Sequence, residues 1–528
     1  MRFATALTAL LNAPRGGRLL ASAADAGTVT ASPAYEKLST KLQQITRLQR
    51  VSALAEWDSL VMMPQGDANH LERGLQLAAL ASVLHAQRTG TELQTMLDDV
   101  DEASLGQREL ANLREAKRDF ERLKRVPAAL AEKKAALSSE AYGVWAKART
   151  ASDFAAFAPT LQKCFDTSRE VAACQGDGCP YDLSLDEFER GMSGARIEEL
   201  FTDVKEKLTP LIQKCINSPY QPSTAPLGGE GLTFDKGAQA ALSADIVASL
   251  GLDAGGSRLD VSVHPFSTSF GPVDVRITTR FDESEWYQAL AGSVHEAGHS
   301  MYEAGLRNTA MPVDQAVSMG VHESQSLFWE RHIGLSRPFW TWAGPQVRSR
   351  LGVKAEDEEL YEACNALQRP SLIRVEADEL QYPLHVIIRF EIERAVLRGE
   401  LPVDDIPTEW NKKYEANLGV TPPSDAKGAL QDVHWSGLAI GYFPSYLLGA
   451  MMAAQLWHHC RIAIPDVDDK IANGEFSPIL SWLREKVHDQ GVMHPSIDAL
   501  LENAVGEPLK PEYFVSYLED KFGALYKL

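Results

Sequence analysis

A mainly α-helical fold with one small β-sheet is what this sequence predicts, on three observations. Apolar residues recur at three- and four-residue spacing over most of the chain. The period drops to two only around Leu259–Val263 and Val273–Ile277. Directly after those alternating stretches, His295-Glu296-Ala297-Gly298-His299 lies inside a helical pattern.

Composition sets the outer bounds. The 528 residues, 45% hydrophobic and 23% charged, suit a soluble globular protein of two or three subdomains. Fifty-two basic against 72 acidic residues give a net charge of −20 with no basic block, which argues against a nucleic-acid partner. An anionic ligand would need a locally placed arginine. The six cysteines are sparse and uneven, as in a reducing compartment with free thiols. Cys174 and Cys179 have no second pair near them, so a metal or disulfide reading of that pair is not favoured.

Residues 1–33 stand apart as a targeting or disordered segment. Arg2, Arg15 and Arg18 occur with no acid before Asp25, among alanines, leucines, serines and threonines. That is transit-peptide composition for a mitochondrion or plastid; without cleavage or import the protein would be cytoplasmic.

Residues 34–217 form a helical subdomain. Amphipathic helices are expected over Tyr35–Leu60, Leu71–Leu97, Gln107–Phe120, Leu130–Val144 and Phe154–Val171. Trp57 near the end of the first is read as a packed side chain. Three prolines and three glycines then mark a loop at 218–232, before a catalytic subdomain at 233–528. The alternating residues predict two strands joined by a turn-rich His264–Pro272 segment. A strand beside the next helix is suited to bind an extended peptide along its edge.

One helix is expected from Asp282, as N-cap with Glu285 three residues on, to a stop at Gly305. At positions i and i+4, His295 and His299 share a helix face and can share a zinc ion. Glu296, one residue round, can act as general base toward a metal-activated water. Gly298 in mid-helix costs about 1 kcal/mol relative to alanine, so a bare backbone is needed there. A third ligand is required. Gly305 occupies the position where a metzincin would place it, so it comes from a later element. Glu323, 24 residues beyond His299, opens a helical pattern to His332 and suits an antiparallel helix pair with a loop near Met311-Pro312. His434 and Tyr442 are the expected oxyanion donors, with Tyr446 in reserve. Gly437–Trp457 carries no charge, but Pro444, glycines and tyrosines interrupt it, so it reads as a buried helix after a turn rather than a membrane span. His458, His459 and Cys460 are adjacent on a helix and point apart, as at a helix end.

Five stretches stand in one order: His264-Pro265-Phe266, Asp274-Val275-Arg276-Ile277-Thr278, the HExxH, His322-Glu323-Ser324-Gln325, and Gly428 to Trp435. With Ile373–Leu380 and Trp57-Asp58…Met63-Pro64, they resemble the M32 metallocarboxypeptidases, the carboxypeptidase Taq family, from about residue 34 to the end. The resemblance implies a gluzincin-type helical fold with a deep central groove. It further implies one zinc, or cobalt, per chain and a homodimer that releases single C-terminal residues from peptides with broad specificity. His295, His299 and Glu323 match the ligands, Glu296 the base, and Arg374 the arginine for the substrate's free carboxylate. Arg276 is the competing anchor, although Asp274 suggests a structural ion pair. His264 either lines the groove or shapes the turn, and Gln431 is a further groove residue. The rival readings are a zinc oligopeptidase or dipeptidyl carboxypeptidase, and a non-catalytic helical scaffold.

Overall fold

The computed structural model describes residues 32–528 apart from Gln65 and Glu230. The expected targeting or disordered segment, up to residue 31, lies outside the described residues.

Local chemistry sets most helix boundaries. Ser32 accepts a hydrogen bond from the Tyr35 amide at 3.3 Å, and Pro33 opens the helix Pro33–Val61. Pro64 and Gly66 follow its end, and the chain returns as Asp67–Thr89. That second helix buries none of its residues; Arg73 ties it back by pairing with Asp58 at 2.7 Å. The single helix expected over Leu71–Leu97 is two, broken at Gly90, whose backbone is extended (φ −70°, ψ 154°). Glycine's weak helix propensity accounts for a break that periodicity alone does not reveal. Helices Gln107–Arg125, Ala128–Ala151 and Phe154–Gln175 follow.

The small sheet has three strands rather than two: β1 Ser257–Val261, β2 Phe266–Ser269 and β3 Val275–Thr279, in the order β1-β3-β2. β1 runs parallel to β3, with Leu259 opposite Ile277, and β2 antiparallel to it, with Ser267 opposite Ile277. The expected turn segment therefore contains a strand. Phe-Ser-Thr-Ser is half-buried at every position, so no alternation of burial shows in its sequence. Trp57 is buried, with the Arg276 guanidinium 4.3 Å from its ring centre.

The HExxH helix spans Tyr287–Gly305 and begins five residues later than expected. Asp282 instead accepts from the Ser284 amide at 2.8 Å, in a turn. The free amides of Tyr287 and Gln288 are taken by the Glu285 carboxylate at 2.6 and 3.1 Å. A capping acid is needed; it is simply the later of the two. On the sheet side, the Thr279 hydroxyl donates to the Ala289 carbonyl at 3.1 Å.

The uncharged run resolves into turns followed by the helix Pro444–Ala463, buried without interruption from Leu447 to Trp457. In that stretch Gln455 donates to the Pro508 carbonyl and accepts from the Lys510 amide. Among the described residues no helix is long and apolar enough to cross a membrane. His458, His459 and Cys460 sit in the last turns of this helix, where His459 faces Glu507 at 3.3 Å. All six cysteines are free.

Candidate metal centre

Close packing of two helices builds the centre. Tyr287–Gly305 runs antiparallel to Met319–Leu327 and its π-helical continuation Phe328–Gly334, and the facing pairs are His295 with Glu330, His299 with Glu323, and Glu303 with His322. Gly298 permits the approach: a Cβ there would lie 2.6 Å from both the Gln325 carbonyl oxygen and the Ser326 Cα. On the far side of the Glu323 helix, a Cβ on Gly449 would lie 2.8 Å from the Glu323 Cβ. Glu323 is thus held between two backbones that each approach through a glycine. Gly298→Ala is expected to cost about 1–3 kcal/mol by overpacking and to weaken metal uptake. Urea unfolding and a metal titration of the same sample check both halves.

The structure brings His295, His299 and Glu323 together, with one ligand atom of each within 4.8 Å of the others. Glu323 Oε2 is 3.4 Å from His299 Nε2 and 3.9 Å from His295 Nε2. Around a tetrahedral zinc with bonds of about 2.1 Å, donors stand roughly 3.4 Å apart. Two imidazoles and one carboxylate at these separations fit a zinc-sized divalent cation and leave one position open.

The remaining nitrogens are engaged in a way that leaves both Nε2 atoms for a metal. His295 Nδ1 lies 2.6 Å from Glu330 Oε2. His299 Nδ1 lies 3.0 Å from the His322 carbonyl oxygen and 2.6 Å from His322 Nδ1, while His322 Nε2 is 3.1 Å from Glu303. One proton pattern satisfies this chain: His299 donates from Nδ1, His322 accepts there, and His322 donates from Nε2 to the Glu303 carboxylate. Each ring is thereby fixed in tautomer and orientation, as metal-binding histidines generally are.

Electrostatics follow the packing. Burial disfavours a charged His295, but Glu323 and Glu330 outweigh it and raise the imidazole to about 10. Burial likewise works against a charged Glu323, yet the two histidines hold its carboxyl down at about 2. His299 is lowered to about 4, by burial first and then by His322. Glu296 is raised to about 7, chiefly by burial. It has no hydrogen-bond partner among the described residues.

A second group of the predicted residues gathers beside this triad. His434 Nε2 is 2.9 Å from the Tyr446 hydroxyl, and the Tyr442 ring lies 5.4 Å from that of His434. Burial, and then Arg374, push His434 down to about 3, so the ring is neutral. Arg374 is buried, its guanidinium 4.6 Å from the Tyr446 ring centre. Its Nε donates to Asp432 at 3.0 Å, and Arg389 pairs with the other oxygen of the same carboxylate. Two guanidiniums on one aspartate leave a net positive charge. Gln431 is spent on this scaffold: its Oε1 accepts from the Arg374 amide and from Arg389. Tyr382 joins the two groups, since its hydroxyl feels the charges of both Glu323 and Arg374.

Two further predicted residues belong to the small sheet that packs on the HExxH helix. Arg276 forms a two-point pair with Asp274, both bonds 2.9 Å, and stacks between Trp57 and Phe270. His264 is exposed, and its carbonyl accepts from Ser262 in a turn. Sequence reasoning missed Glu330, Glu303 and Tyr382. The Glu303 position had a signal, since it continues the His295, His299 spacing by four, whereas Glu330 lies in a π-helical turn that α-helical spacing does not describe.

The family profile described as Carboxypeptidase Taq (M32) metallopeptidase matches residues 37–522. Carboxypeptidase 1 of Bacillus subtilis is 37% identical over 504 residues, 94% of this chain and 99% of that protein. Thermostable carboxypeptidase 1 of Thermus thermophilus is 37% identical over 517 residues, 94% and 100%. Among solved structures, the M32 carboxypeptidase from Deinococcus radiodurans R1 superposes with a TM-score of 0.90 at 34% identity, covering 94% of this chain and 100% of that one. Pyrococcus furiosus carboxypeptidase gives 0.89 at 32%, with the same coverage. Matches of this extent, on a mainly helical fold whose histidines and glutamate converge on one point, make the chain a member of the carboxypeptidase Taq (M32) family of metallopeptidases and a metal-dependent carboxypeptidase.

Proposed function

We propose that the chain releases single residues from the C-terminal end of peptides, with broad specificity, using one zinc ion per chain held by His295, His299 and Glu323. The observation that carries this reading is the junction of two unlike groups. Glu323 of the three-donor centre and the buried Arg374 guanidinium both act on the hydroxyls of Tyr382 and Tyr446, and Arg374 stacks on the Tyr446 ring. In this arrangement Arg374 receives the free carboxylate of the last residue, through a planar fork that suits it. The scissile carbonyl then lies toward the metal donors, one residue away.

Zinc supplies Lewis acidity there. The chain's own groups do the rest. Glu296 takes a proton from the attacking water onto its carboxylate and passes it to the amide nitrogen as the C–N bond breaks. His434 and Tyr442 donate to the oxyanion that develops on the carbonyl oxygen, and Tyr446 holds the His434 ring. In the same reading the protein is a homodimer, which sedimentation would register as twice the chain mass.

The rival oligopeptidase or dipeptidyl reading uses the same centre without a role for Arg374 as carboxylate anchor. Amidating the C-terminus of a test peptide removes the charge Arg374 would bind. Cleavage is expected to stop, and single amino acids should leave the unblocked peptide one at a time by mass spectrometry. Cleavage of the amidated peptide at an undiminished rate, or release of dipeptides, would favour the rival.

A further inference from the structure

Glu393 is fully buried and carries no ion-pair partner among the described residues. Burying a lone carboxylate is costly unless its lone pairs are well used. Here they are used by neutral donors only. Oε1 accepts from the Tyr181 hydroxyl at 3.0 Å and from the Gly441 amide at 2.9 Å, and Oε2 accepts from the Trp435 indole at 3.1 Å. With no cation facing it, burial pushes the carboxyl up to about 7.

Two of those three donors have a significant position in the chain. Trp435 directly follows His434, and Gly441 directly precedes Tyr442. The segment between them is irregular: turn bonds hold its first half, with the Ala439 amide donating to the His434 carbonyl at 3.0 Å, while the Gly441 amide at its far end donates to Glu393 instead. Leu438 has φ 56°, a left-handed conformation that costs a residue with a side chain, and Gly441 has φ 94°, which its lack of a side chain permits. A Cβ on Gly441 would lie 3.0 Å from Leu185 Cα, so the segment is also pressed against the neighbouring helix. His434 itself has a buried Nδ1 with no partner, so its ring is held from one side only.

We infer that Glu393 is a positioning residue for catalysis: one carboxylate pins both ends of the 434–442 segment and thereby sets His434 and Tyr442 at a fixed separation. An apolar side chain of equal size would fill the space but would leave three buried donors unsatisfied and both ends free. This inference rests on the reading of His434 and Tyr442 as oxyanion donors.

A double-mutant cycle separates the two. Glu393→Gln keeps one oxygen and replaces the other by a donor, so one loop contact is lost. It is expected to lower kcat about 10- to 100-fold, less than loss of a whole oxyanion donor, with KM within about twofold and metal content unchanged. The double variant carrying Glu393→Gln and His434→Ala should lose clearly less than the product of the two single losses, because part of the effect of Glu393→Gln runs through His434 and only the part through Tyr442 remains. Fully additive losses, or an unchanged kcat in folded Glu393→Gln protein, would overturn the inference. If His434→Ala and Tyr442→Phe leave kcat intact, the underlying reading fails instead. Should Glu393→Gln not fold, Trp435→Phe removes a single donor and is read in the same way.

Discussion

Glu296→Gln is expected to lower kcat by about 10³-fold, within the range that general acid–base groups contribute, while the metal stays bound and KM changes little. The side chain is 8% exposed, lacks a hydrogen-bond partner among the described residues, and sits one residue from His295. Burial raises it to about 7, with Glu323 and Glu330 adding to the rise and His295 opposing it. A carboxylate so placed exchanges protons readily near neutral pH, as a base acting on water must. Glutamine has the same shape and polarity but cannot take the proton, so packing around the helix should be undisturbed. Steady-state kinetics with metal analysis on the same preparation would read both effects. A variant that hydrolyses peptides at the normal rate would remove Glu296 from the mechanism. Activity lost together with the metal would mean the substitution had damaged the centre.

How much of this was readable without coordinates depends on the range over which each feature is determined. The pairing of His295 with His299 follows from a four-residue repeat, and any helix delivers it. The need for bare backbone at Gly298 was also local, although its cause, the Gln325–Ser326 backbone 2.6 Å away, was not. Glu323 was accessible as the first acid on a returning helix. Glu330 was obscured because the helix passes into a π-helical turn at Phe328–Gly334, where the α-helical spacing no longer tells which face a side chain takes. β2 escaped because its four residues carry no alternating pattern, and its strand state comes from pairing with β3. The start of the HExxH helix was misplaced because Asp282 and Glu285 are both plausible caps, and only the turn between them decides. Glu393 illustrates the limit: nothing in Phe390–Glu393 announces a partner 42 or 48 residues away in Trp435 or Gly441.

The largest effect on metal binding is expected from Glu323→Ala. Losing an outer partner of a metal ligand typically weakens affinity about 10- to 100-fold, so loss of a ligand should exceed about 100-fold. Glu330→Gln, which removes only the partner of His295, should stay inside that range. Movement of the helix does not make good the loss in Glu323→Ala, because the glycine contacts at Gly298 and Gly449 fix it between two backbones. Charge gives the same ranking an independent test. In the metal-free protein His295 is held near 10, with burial opposed by Glu323 and Glu330, so at neutral pH the ring is protonated. A metal needs the neutral ring and must release that proton. Affinity should therefore rise about tenfold per pH unit below 10 and flatten above it, the sign set by a proton bound only in the free state. Calorimetry in buffers of different ionisation enthalpy should register about one proton released per metal bound. Removing Glu323 takes away the first of the three carboxylates that raise His295, so the variant should bind weakly and its pH slope should flatten at a lower pH. Tight binding by Glu323→Ala with the pH dependence unchanged would show that the carboxylate at 323 neither holds the ion nor governs the histidine beside it.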